Sequence, residues 1–287
     1  MSLYSSSRNS DVINYQFSSM TTLLLIDIQK DFHPGGSLAI PDADKDADRT
    51  ASFIRKNAAN IGRIVMTMDS HNKLHIAHPC FWKNAEGEHP NPFTLISMED
   101  VVSGKWIPRK DLKYPVPLID DEILKQGGDI PDNLYAPHDG SLDIMQYCIE
   151  YTRRLEAKGK FKLCIWPEHT LIGTEGHNVV KVVMDAVVDW SHETGGSVEW
   201  VDKGQNLLTE MYSALCAEVP VNQKTAFDNN LFESVSVVKI NNVGFVFSLT
   251  QSDIGLQYLF LCHILQIAKE RHRQTRNVRP GTESLRQ

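Results

Sequence analysis

The residues of this chain that could do chemistry stand at the ends of apolar runs. Asp27 closes 21–28 (TTLLLIDI), and an acid at the mouth of a buried strand has its pKa open to tuning, as a general base requires. The same carboxylate could instead order the loop that follows. Asp69 and His71 come after 62–68 (GRIVMTM). Lying two apart, they point to one face of an extended chain, and His75 and His78 follow within reach. One carboxylate with two or three imidazoles suits Zn, Fe or Mn, with positions left open for water or substrate. His169 arrives in Trp166-Pro167-Glu168-His169, after the run 160–166 (KFKLCIW). Lys203 follows 197–201 (SVEWV), where it would neutralise a carboxylate or steady a developing oxyanion. The plainer reading of Lys203 is a solvated strand-end lysine.

These groups need a scaffold, and the spacing of apolar residues supplies one. The four short runs alternate with helical patterns at 47–60 and 178–190, which predicts an α/β fold whose parallel sheet is covered by helices on both faces. In such folds the functional groups gather at the carboxyl ends of the strands. Residues 84–160 begin with prolines and glycines and end in a helix near 142–157. They are expected to be a long insertion on one domain spanning 21–250. Residues 1–20 are expected to be a disordered leader, and 251–287 a divergent tail, helical or disordered.

The composition narrows the partners. With 287 residues, 41% hydrophobic and 23% charged, the chain is that of a globular protein with ample core. A net charge of -7 argues against nucleic acid or an anionic membrane as the main partner, and no apolar run reaches the ~18 residues of a spanning helix. The leader is polar and Ser-rich, without the apolar centre of a secretory signal. Five scattered cysteines, odd in number and without CxxC spacing, fit reduced thiols in a cytoplasmic protein.

Taken in order, the motifs resemble those of the nicotinamidases, within the isochorismatase-like cysteine hydrolases. The family's D-x-Q-x-D-F with a following P-G-G-S-L-A matches Asp27, Gln29, Asp31, Phe32 and residues 34–39. Its D-x-H with a further histidine matches Asp69, His71 and, less closely, His75. Its W-P-x-H and G-T-x-G match Trp166, Pro167, His169, Gly173, Thr174 and Gly176. Its K-G followed by Y-S-A matches Lys203, Gly204 and residues 212–214. The match runs over about 21–235, allowing for the insertion.

The resemblance implies a three-layer α/β/α fold and hydrolysis of nicotinamide to nicotinate and ammonia, a step of NAD salvage. It implies Asp27 as general base, Lys203 as its catalytic partner, and one divalent ion, Zn before Fe or Mn, on Asp69, His71 and His169, with His75 nearby. A homo-oligomer is compatible with it.

The chain departs from the family at its end. Relatives carry the nucleophilic cysteine in G-x-A-x-S-x-C-V, after a strand that corresponds to 243–249 (VGFVFSL). Here 248–255 (SLTQSDIG) keeps the serine as Ser252 but places Ile254 where the cysteine belongs, and isoleucine is no nucleophile. Cys262 lies eight residues on among apolar neighbours, as an inert core thiol would. From residue 236 onward there are seven Lys/Arg against three Asp/Glu, a formal +4, whereas the preceding 235 residues carry 22 against 33, or -11. Such a change of character at one point fits a spliced or misassembled end. Two functions therefore stand: an amide hydrolase with a displaced nucleophile, or a non-catalytic relative that binds a metal and a small ring.

Overall fold

The computed structural model describes residues 21–113, 118–157, 159, 162–236 and 243–247. In chain order these form β1 (Thr21–Ile26), α1 (Ala43–Lys56), β2 (Ile61–Asp69), β3 (Trp82–Lys83), β4 (Leu95–Ile96), α2 (Met98–Val102), β5 (Ile107–Pro108), α3 (Asp121–Lys125), α4 (Ile144–Ala157), β6 (Leu163–Cys164), α5 (Lys181–Thr194), β7 (Val198–Lys203), α6 (Asn229–Ser236) and β8 (Val243–Phe247). The leader 1–20, the segment 248–255 with Ile254, and Cys262 in the tail lie outside the described residues.

The main sheet has the order β7-β2-β1-β8, and every pairing in it is parallel. Its inner strands are apolar on both faces because both faces are covered. Leu23 and Leu25 of β1, with Ile64 and Met66 of β2, pack under α1 and α5. Leu24, Ile26 and Val65 point the other way, against Ala214, Leu215 and Leu231. Helix α5 buries Val183, Ala186, Val187 and Trp190, spacings of three and four that line one stripe. It ends at Gly195 in a left-handed conformation, φ 74°, as helix C-termini commonly do. The indole of Trp190 donates to the carbonyl of Ile61 at 3.1 Å, tying α5 to the start of β2.

The described part of the run 160–166 does not join this sheet. Among residues 162–166 only Leu163–Cys164 is strand, and it pairs antiparallel with β4 as a separate two-stranded sheet. Its apolar residues serve a second core instead. Leu163, Ile165 and Trp166 pack there with Ile76, Phe81 and Trp82, with Tyr147, Tyr151 and Leu155 of α4, and with Leu208, Val219 and Val221. The described residues of 84–157 are therefore built into a core shared with the loops of the site, through Ile96, Val101, Leu124 and helix α4. Among the described residues no helix is long and apolar enough to cross a membrane.

Candidate metal centre and acid–lysine pair

Strands β1, β2 and β7 are hydrogen-bonded side by side, so the side chains at their carboxyl ends meet. The chain leaves β1 at Asp27 with φ 50°, a left-handed conformation that Asp tolerates better than most residues. Its backbone N–H is bound by the carbonyl of Thr67 at 3.2 Å and the Thr67 hydroxyl at 3.1 Å. The same hydroxyl donates to Asp27 Oδ1 at 2.6 Å. Lys203, the last residue of β7, is buried, with Nζ 3.0 Å from Asp27 Oδ2 and 2.9 Å from Asp69 Oδ1. One ammonium thus serves two carboxylates.

The charges respond accordingly. Burial raises the pKa of Asp27 and the Asp69 charge adds to that, against the pull of Lys203 and Thr67. Burial alone would lower Lys203, but Asp27 and Asp69 together hold its pKa above the ordinary value. Asp69 also pays desolvation, yet His71, Lys203 and His169 keep its carboxyl well below the usual range.

The far oxygen of Asp69 faces histidines. Oδ2 lies 3.1 Å from His169 Nε2 and 3.4 Å from His71 Nδ1, and it accepts from the Thr170 hydroxyl at 3.3 Å. Those separations are close to the roughly 3.3 Å edge of a tetrahedron with metal–ligand bonds of ~2.0–2.1 Å. Asp69, His71 and His169 offer ligand atoms within 4.8 Å of one another, and so do His71, His75 and His78.

The four imidazoles are not equivalent. His169 Nδ1 lies 2.8 Å from the carbonyl of Pro167, and His78 Nδ1 lies 3.0 Å from that of Lys73. Each of these nitrogens carries the ring hydrogen, which leaves Nε2 as a lone-pair donor. The Nε2 of His78 is buried and has no protein partner. His75 is the reverse case: its Nδ1 accepts from the Ala77 N–H at 3.2 Å and its Nε2 lies 3.1 Å from the carbonyl of Thr209. With both nitrogens engaged, His75 has no lone pair to give. The proximity that made His75 a candidate in the sequence holds, but His78 is the ring with a free donor. Burial depresses His75 to about 3 and His78 to about 4, so both are neutral.

The donor set fits a divalent cation on a second ground. His169 has an oxygen near each ring nitrogen, Pro167 O and Asp69 Oδ2. His71 likewise lies between Asp69 Oδ2 and Glu210 Oε1, the latter 3.6 Å from Nε2. A neutral imidazole has one N–H, so the other nitrogen in each ring must meet a second proton or a metal ion.

Three supports were not legible as chemistry in the sequence. Gln29, fully buried, donates to the carbonyls of Asp69 (2.7 Å) and His177 (2.9 Å) and accepts from the Asp69 N–H (2.7 Å), which fixes the backbone of a ligand. Asp31 accepts from the Thr170 N–H at 2.6 Å and so holds the loop carrying His169. A Cβ at Gly176 would fall 2.2 Å from that Asp31 carboxylate, which accounts for the second glycine of G-T-x-G. Gly204, with φ 81°, lies where a Cβ would come 3.0 Å from His71 Nε2 and 3.2 Å from Asp69 Oδ1. Glu210, buried beside His71, is the third support, and only the fold brings it there.

No family model matches this chain, and no curated protein matches it by sequence. Among solved structures it is similar to the yeast nicotinamidase bound to the inhibitor nicotinaldehyde, at 20% identity and a TM-score of 0.45, over 79% of this chain and 74% of that one. It is also similar to a nicotinamidase/pyrazinamidase from Acinetobacter baumanii, at 16% identity and a TM-score of 0.45, over 89% and 94%. A third is the pyrazinamidase of Pyrococcus horikoshii in complex with zinc, at 14% identity and a TM-score of 0.34, over 87% and 94%.

Proposed function

We propose that this chain is built as a small-amide hydrolase of the nicotinamidase type, with nicotinamide as its ligand and nicotinate for NAD salvage as the product of the complete machinery. The observation that carries the reading is Lys203, a buried cation shared at 3.0 and 2.9 Å by a general-base candidate and a metal-ligand candidate on adjacent strands. A surface lysine would have no use for two desolvated carboxylates. Asp27, fixed by Thr67 and Lys203, would take the proton of a nucleophile and pass it to the departing amide nitrogen. Lys203 would keep that acid ionised until it is needed.

Asp69, His71 and His169 would hold a divalent ion, Zn before Fe or Mn, with His78 as the imidazole free to join them. When bound there, such an ion would supply Lewis-acid chemistry toward the pyridine nitrogen of the ligand. Phe32, partly exposed and edge-on to His169 at a centroid distance of 5.6 Å, adds an aromatic wall beside that point.

A second reading is favoured by one specific observation, Ile254 at the expected cysteine position. In that reading the chain keeps the metal and the ring pocket but does not turn over. Calorimetry of nicotinamide with the zinc-loaded full chain, together with ammonia release by the wild type, Cys262→Ala and Ile254→Cys, separates the two. The expected result is binding with ammonia release several orders of magnitude below that of a cysteine hydrolase, since a lost covalent nucleophile commonly costs that much. Full rescue by Ile254→Cys is not expected, because Asp253 would place a negative charge where N–H groups must meet an oxyanion. Turnover abolished by Cys262→Ala would make Cys262 the nucleophile. Turnover that survives Cys262→Ala would sink the cysteine scheme, and absence of nicotinamide binding would sink both readings.

A further inference from the structure

His71 is the residue on which both candidate ligand groups converge, and the structure gives it a partner on the side away from Asp69. Glu210 is buried, and its Oε1 accepts from the N–H of Met211 at 2.9 Å while lying 3.6 Å from His71 Nε2. That is just beyond hydrogen-bonding distance, and His71 Nε2 and Glu210 Oε2 are both buried without a hydrogen-bond partner. A buried ring nitrogen left without a partner 3.6 Å from a carboxylate oxygen is costly unless a small shift pairs the two.

On the other side of the ring, His71 Nδ1 faces Asp69 Oδ2 and the Thr170 hydroxyl, at 3.4 and 3.2 Å. This repeats the arrangement at His169, whose Nε2 faces Asp69 while its Nδ1 points at the carbonyl of Pro167. In both rings the nitrogen nearer Asp69 is the one placed for an ion, and the other needs an acceptor for its hydrogen.

We propose that Glu210 is a positioning residue for the metal centre: its carboxylate accepts the Nε2–H of His71, which fixes the tautomer that presents Nδ1 to the ion. The role rests on the metal reading given above and adds to it. Glu210 then does for His71 what the Pro167 carbonyl does for His169, but with a full negative charge, which raises the basicity of the ligand as well as orienting it. It also makes the loop after β7 part of the centre, so that Lys203 and Glu210 reach the Asp69–His71 pair from opposite ends of one segment.

The test uses the full-length protein, stripped of metal and titrated with Zn2+. Glu210→Gln keeps an oxygen for the Met211 N–H and removes the charge. Zinc affinity is expected to fall about 10–100-fold, as loss of such an outer partner commonly does, and Glu210→Asp is expected to recover part of it. Long-range 15N–1H spectra of histidine-labelled, zinc-loaded wild type are expected to show His71 with zinc on Nδ1 and hydrogen on Nε2. A purely structural glutamate would leave that signature untouched in Glu210→Gln, whereas the proposed role requires it to weaken or mix. Wild-type affinity in Glu210→Gln, or zinc on Nε2 of His71 in the wild type, overturns this role and leaves the metal reading standing. Wild type that takes up no zinc removes the metal reading, and this role with it.

Discussion

The two oxygens of Asp69 look into two differently finished halves of one site. On the Oδ1 side, Lys203 sits between Asp69 and Asp27, Thr67 supplies a hydroxyl, and these charged groups all meet a partner of the protein's own. On the Oδ2 side stand Nδ1 of His71 and Nε2 of His169, and beside those rings Nε2 of His78 is buried without a hydrogen-bond partner. The first half is electrostatically closed and stands ready without any ligand. The second is built around a charge that has to come from outside. Asp27 is the more exposed member of the first half, and the histidines of the second are almost fully buried, so the unpaired nitrogen lies on the drier side. A buried ring nitrogen with a free lone pair, set among two further imidazoles and a carboxylate, has a cation as its economical explanation.

The largest expected effect tests whether the first half is closed by Lys203 alone. Lys203→Met keeps the apolar stem of the side chain and removes the ammonium, which leaves two desolvated carboxylates facing one another. Breaking a buried pair in this way costs about 3–5 kcal/mol, and here both acids lose the same partner. Denaturant unfolding of the metal-free protein should show a loss of that size relative to wild type. A loss below about 1 kcal/mol, the scale of an exposed ion pair, would mean that water reaches the pair and that the half is not closed.

A second experiment asks which histidines complete the other half. His78→Ala removes a free lone pair, whereas His75→Ala removes a ring whose nitrogens are already committed to Ala77 and Thr209. Zinc affinity should fall about 10–100-fold for His78→Ala, or roughly 1.4–2.8 kcal/mol at 1.4 kcal/mol per tenfold change. His75→Ala should bind zinc within a few-fold of wild type while losing stability through the cavity and the orphaned groups. The opposite ranking, measured by competition with a chromophoric chelator, would restore His75 to the centre and show that its ring turns over when metal arrives.

The same contrast explains what could be read from the chain. Strands β1 and β2 were legible because a strand covered on both faces is a continuous apolar run, and their terminal acids stood out against it. The run 160–166 has the same composition and misled for a physical reason. A second core, around Tyr147, Tyr151 and Trp82, also demands buried apolar residues, and periodicity does not say which core they fill. Asp27, Asp69, His71, His169 and Lys203 were legible as residue types at strand ends, and the structure brings them into one cluster. The roles of Gln29, Asp31 and Glu210 were not, because each acts through backbone groups or a ring distant in sequence. His78 was in view from the start beside Asp69 and His71, but only the fixed orientations of four rings distinguish it from His75.

The smallest expected effect falls at the boundary between the halves. Gly204 follows Lys203 directly, and a Cβ there would approach His71 Nε2 at 3.0 Å and Asp69 Oδ1 at 3.2 Å, so it would touch a group from each side. Gly204→Ala carries two costs. The φ of 81° lies in the region that L side chains rarely adopt, worth roughly 1–2 kcal/mol. The methyl also crowds His71, which can give way by turning its ring, whereas Asp69 is held by Lys203 on one oxygen and by Gln29 through its backbone. The yielding partner should therefore be the histidine side. The expected outcome is a metal-free stability loss of about 1–2 kcal/mol together with weakened zinc binding, while a crystal structure of the variant keeps the Asp27–Lys203–Asp69 contacts in place. If Gly204→Ala instead breaks the lysine contacts and spares zinc, the half that looks closed is the softer one, and the comparison runs the other way.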